Sequence, residues 1–67
     1  MESTELISAL AKVVDAKKST DKAYRTLSKA FLNGTDEELH NAVIELQKSL
    51  SLYAKASNYA FMATLNK

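Results

Sequence analysis

The chain has no cysteine, no proline, no tryptophan and a single glycine among its 67 residues. Without cysteine, neither a disulfide nor a thiolate metal site can add stability, and a reducing, intracellular setting is the simplest expectation. Without proline, nothing removes a backbone donor from a helix interior. No run approaches the roughly 20 apolar residues of a membrane span. The opening Met1-Glu2-Ser3-Thr4-Glu5 is acidic where a secretory signal would be basic, so a soluble, cytoplasmic protein is expected. Nine Lys or Arg against eight Asp or Glu leave a net charge of +1. That is far from the strongly basic balance of non-specific nucleic-acid binders.

The equipment of catalysis is also scarce. There is one histidine, no glycine-rich phosphate loop, and no serine in a nucleophile motif. Tyr24, Tyr53 and Tyr59 fall at helical spacings, as packing or interface residues do. Glu37-x-x-His40 matches the element that supplies ligands in di-iron bundles. Such sites need two of these elements and two further carboxylates projecting into a bundle core, and the apolar stripes here carry no acid. His40 is therefore read as a solvated surface residue. No metal site, cofactor, small-molecule substrate or enzymatic activity is expected, because nothing assembles an acid, a base and a pocket.

What the chain does have is one strong punctuation mark, Gly34, in the run Phe31-Leu32-Asn33-Gly34-Thr35-Asp36-Glu37-Glu38. Asn33 or Gly34 can take the left-handed conformation that ends a helix, and Thr35 with Glu38 forms a capping box that opens the next one. The spacing predicts a single domain over residues 1–67, with helices at about 3–32 and 35–65 and a turn at 33–35. Small residues recur at every seventh position in both halves, at Ala9, Ala16, Ala23, Ala30 and at Ala42, Ser49, Ala56, Ala63. Larger apolar residues run beside each series, including Leu6, Val13 and Leu27 in the first half and Leu39, Leu46 and Tyr53 in the second. Heptad-spaced alanines let two helix backbones approach closely, so the expected fold is all-α, an antiparallel two-helix hairpin packed like a coiled coil. The halves look like a repeat offset by 33 residues, but a tetratricopeptide unit would need a turn where Ser49 to Asn58 has no breaker.

One segment resists this pattern. Lys17-Lys18-Ser19-Thr20-Asp21-Lys22 is polar all round and puts Lys17 and Thr20 on the apolar stripe. A fresh cap at Ser19 or Thr20 would kink helix 1 or divide it, giving three helices.

Two helices cover only one face of each other, and a lone hairpin of this size is marginal. Past Leu50 the apolar residues leave the stripe, with Leu52, Tyr59, Phe61, Met62 and Leu65 pointing elsewhere. Ile7 and Val14 do the same at the start of helix 1, which lies at the same open end of the hairpin. Aromatic residues and Met are enriched at interface centres, so these seven are the candidate association surface. It would be covered by a second copy in a four-helix bundle, by a helical assembly of subunits, or by one protein partner. Lys18, Lys22, Arg25 and Lys29 form a basic stripe on helix 1, and the rival expectation is a hairpin dimer that binds RNA or DNA phosphates through it. Helix dipoles offer another account, with cations late in helix 1 meeting Asp36, Glu37 and Glu38 near the turn.

The stretch Leu39-His40-Asn41-Ala42-Val43-Ile44-Glu45-Leu46-Gln47-Lys48-Ser49-Leu50-Ser51-Leu52, with Phe31-x-x-Gly34 before it, resembles the helix after the turn in the flagellar proximal-rod adaptor family. Gln47, Leu50 and Tyr53 are similarly spaced to a pattern in type III secretion needle and inner-rod subunits, which are helical hairpins built into a tube. The likeness covers about twenty-five residues and ends before Ala56. It implies an export-apparatus assembly subunit, and with it an exported rather than a cytoplasmic protein.

Overall fold

The computed structural model describes residues 4–65. Ser3, the expected first residue of helix 1, and the last two residues of the chain lie outside them. Two helices make up the described chain, α1 (Thr4–Asn33) and α2 (Asp36–Leu65), joined by Gly34 and Thr35. Each contains thirty residues, about 45 Å at 1.5 Å per residue, and the hairpin measures 51 × 14 × 11 Å between Cα atoms. The all-α antiparallel hairpin is as expected, with boundaries within a residue or so of those read from sequence.

The turn is built from local hydrogen bonds. Thr35 N–H donates to Glu38 Oε1 at 2.9 Å, and Glu38 N–H donates to Thr35 Oγ1 at 3.2 Å. This reciprocal pair is the expected capping box, and it satisfies donors that the first turn of α2 would otherwise leave open. Asp36, Glu37 and Glu38 place negative charge where the helix dipole favours it. The matching arrangement at the end of α1 is missing, because its last turn carries no basic residue. The basic stripe ends at Lys29, about one helical turn before the last residue of α1, where the dipole's influence is weaker.

Gly34 departs from expectation as well. Neither it nor Asn33 has a positive φ. Gly34 N–H instead donates to Ala30 O at 2.8 Å, continuing the bonding pattern of α1 past its last residue. What demands glycine here is proximity, since a Cβ at this position would lie 2.8 Å from Ala30 O and 2.9 Å from Ala30 Cα. Those contacts are with backbone, which cannot swing aside.

Burial follows the heptads without a break. In α1 the less exposed positions include 6, 9, 13, 16, 20, 23, 27 and 30, with Asp21 beside them; in α2 they include 39, 42, 46, 49, 53, 56, 60 and 63. Ala9, Thr20, Ala23, Ala42 and Ala60 are the buried residues among those described, and no large side chain is fully buried. The seam is thus made chiefly of methyl groups.

Helix α1 is continuous through residues 17–22, with no break into a second helix. Thr20 is 3% exposed, in the middle of the seam. Its hydroxyl donates to Ala16 O at 2.9 Å, within its own helix, and lies 3.4 Å from Ser49 O across the interface. A buried hydroxyl left unpaired would cost about 1–3 kcal/mol, and the bond to Ala16 removes that cost. Lys17 turns outward and pairs with Asp21, so the polar segment is accommodated one residue at a time.

The Thr20–Ser49 contact also shows the register. Counting outward from it at heptad spacing brings Val13 level with Ala56, Ala16 with Tyr53, Ala23 with Leu46, and Leu27 with Ala42. Large faces small at each of these levels. Small faces small at Thr20–Ser49 and again at Ala9–Ala60, where Ala9 has no exposed surface at all.

Two outcomes follow for urea unfolding monitored by circular dichroism. Gly34→Ala should lower the unfolding free energy by about 1 kcal/mol or more, the direction opposite to that of a Gly→Ala change at an unstrained site. Ala9→Leu should cost about 1–3 kcal/mol through overpacking, although leucine is the better hydrophobe.

Candidate association surface

Thirteen large apolar residues are exposed among those described. The heptad frame sorts them. Positions following the alanine series by one and by five residues lie on one flank of the hairpin, and positions preceding the Leu6/Leu39 series by one, or following it by two, lie on the other. Lys12 and Tyr59 locate the second flank directly, because the ammonium of Lys12 on α1 stands 6.0 Å from the ring centre of Tyr59 on α2.

The first flank is the apolar one. Ile7, Leu10, Val14 and Phe61 cover it toward the open end, and Tyr24, Phe31, Val43 and Leu50 cover it from the middle to the turn. Val43 and Leu50 are 39% exposed whereas Phe31 is 74% exposed, so the flank is shallow beside the seam and protrudes near the turn. Its middle is interrupted by one charged pair. Lys17 Nζ lies 3.1 Å from both carboxylate oxygens of Asp21, with the two side chains 54% and 47% exposed.

The second flank carries Leu52 near mid-length and Tyr59 and Met62 toward the open end. Toward the turn it becomes a polar cleft, lined by Thr26, Lys29, Asn33, Glu38, Asn41 and Glu45. Leu32 and Leu65 sit on the outward surfaces, away from both flanks.

The seven residues singled out in the sequence, Ile7, Val14, Leu52, Tyr59, Phe61, Met62 and Leu65, are all exposed. The hairpin does not gather them into one patch. Ile7, Val14 and Phe61 belong to the first flank, Leu52, Tyr59 and Met62 to the second, and Leu65 to neither. Sequence reasoning did not place Leu10, Tyr24, Phe31, Val43 and Leu50 on the association surface. Their position immediately beside the alanine series was a usable signal, since that position is only half covered when two helices meet.

Lys18, Lys22, Arg25 and Lys29 are exposed on the outward surface of α1 and on the side of the second flank. They lie apart from the apolar flank. His40 and Glu37 are exposed, and no group of three or more His, Cys, Asp or Glu among the described residues is placed to hold a metal ion. Neither helix is long and apolar enough to cross a membrane. Comparison with protein-family models, with curated proteins and with solved structures gives no match.

The ion pair on the apolar flank contributes little to the hairpin itself. Exposed pairs four residues apart on a helix are worth about 0.3–0.5 kcal/mol. Lys17→Ala should therefore change the unfolding free energy by no more than about 0.5 kcal/mol, measured by urea titration in dilute protein.

Proposed function

We propose that this protein is a non-enzymatic association module, a helical hairpin that acts by pairing with itself or by docking on one protein partner. The observation that carries this reading is the surface left uncovered. The chain exposes 5244 Å², whereas a compact monomer of its mass would expose roughly 4,200 Å². The difference, about 1,000 Å², is close to the ~800 Å² that each partner contributes to a standard protein interface. Thirteen large apolar side chains are exposed among the described residues, and contiguous exposed apolar surface marks association sites in water-soluble proteins.

The shallow seam supports the same reading from the energetic side. Burying a large apolar side chain stabilises by about 1.5–3 kcal/mol, and the hairpin buries alanines in their place. A partner that covers the apolar flank would supply the burial that the seam lacks. An export-apparatus assembly subunit, as the likeness of residues 39–52 implies, is one form that such a module takes.

Sedimentation equilibrium, with helical circular dichroism followed over the same dilution series, tests the reading. The expected outcome is a defined oligomer at high concentration that loses helix as it dissociates. A fully helical monomer across the whole range would oppose self-association and require a different protein as the partner.

A further inference from the structure

The association reading leaves open what covers the apolar flank and how it sits there. Charge distribution and shape on that flank answer both. Lys17 and Asp21 straddle the middle of α1, which spans Thr4–Asn33. Apolar side chains stand on either side of them, Ile7, Leu10 and Val14 toward the open end and Tyr24 and Phe31 toward the turn. We propose that the occupant is a second copy of this chain, related by a two-fold axis that passes beside Lys17 and Asp21 perpendicular to the hairpin, so that the two copies form an antiparallel four-helix bundle. This rests on the association reading and specifies its interface.

Three arguments carry it. The middle of the flank holds one cation and one anion, and that pair is complementary to itself under a two-fold rotation, since Lys17 of one copy then faces Asp21 of the other, and the reverse. Because the pair lies at mid-length, that rotation overlaps the hairpins along their whole extent. Ile7, Leu10 and Val14 on α1 of each copy are laid toward Tyr24 and Phe31 on α1 of the other, so both apolar clusters of that helix are covered. The chain's excess of about 1,000 Å² over the surface of a compact monomer of its mass is also sufficient for the ~800 Å² that each partner contributes to a standard interface.

The other flank fails the same requirement. Its apolar residues run only from Leu52 near mid-length to Tyr59 and Met62 at the open end, and the opposite end is a polar cleft with Lys29, Glu38, Asn41 and Glu45. A two-fold rotation about its middle would set a tyrosine and a methionine against carboxylates. Covering polar and charged groups with apolar side chains is unfavourable. In the proposed dimer the apolar clusters provide affinity, while the two Lys17–Asp21 contacts fix direction and register, which is the usual division between such groups.

The test is sedimentation equilibrium on the full chain in five samples: wild type, Lys17→Glu, Asp21→Lys, the double variant, and an equimolar mixture of the two single variants. The wild type should dimerise. Each single variant should dimerise about tenfold more weakly or worse, because like charges then meet twice across the axis. The double variant and the mixture should both recover dimerisation. Recovery in the mixture is decisive, since each chain there still carries its own like-charged pair and any loss of folding would persist. Met62→Asp should leave the dimer unchanged, and Phe31→Asp should disrupt it. A wild-type dimer insensitive to the charge variants, or one broken by Met62→Asp and not by Phe31→Asp, would overturn this interface while the association reading stands. A wild-type monomer throughout would overturn the second copy as occupant and leave docking on another protein as the form of that reading.

Discussion

Alanine at every seventh position lets the two helix backbones come close enough for a threonine hydroxyl on one to reach within 3.4 Å of a carbonyl on the other. Close approach favours dispersion between backbones and packs the seam tightly. It also limits what the seam can hold. Leu, Val and Tyr side chains beside the alanines are only partly enclosed, and no large residue is fully buried among those described. The elongated shape, the exposed apolar flank and the short turn all follow from this choice of small residues.

The polar centre of α1 shows how such a seam tolerates what a larger core would not. A lysine at the edge of the stripe turns outward to an aspartate one helical turn on, and Thr20 bonds to its own helix. The seam thus needs nothing from the facing helix to satisfy its one buried hydroxyl. This is a reason for helix continuity through Lys17-Lys18-Ser19-Thr20-Asp21-Lys22, where composition alone favours a break.

The hairpin and its turn were legible in the sequence because both rest on local signals: a period of seven, one glycine, and a Thr/Glu capping pair. The fate of Thr20 was legible in principle, since it continues the series Leu6, Val13, Leu27, but its polarity drew attention away from its position. Gly34 was read through its conformational freedom, whereas the backbone of Ala30 excludes a side chain there. The association surface was the least legible. Which flank an apolar residue occupies depends on how the two helices face each other, and that is a property of the pair. Phe61 and Met62 are neighbours in sequence and stand on opposite sides of the molecule for this reason.

The two-residue connection at Gly34 and Thr35 has a consequence for alignment. Both helices repeat every seven residues, and small residues recur at each level, so a slip of one helix along the other by a heptad would again set small positions against the partner's stripe. Nothing in the side chains of the seam penalises that slip strongly, because its hydroxyl bonds at home. The connection is too short to permit it. Correct alignment is therefore held by the tether at one end, and a cut or an inserted loop at Gly34 would turn one structure into a family of staggered ones.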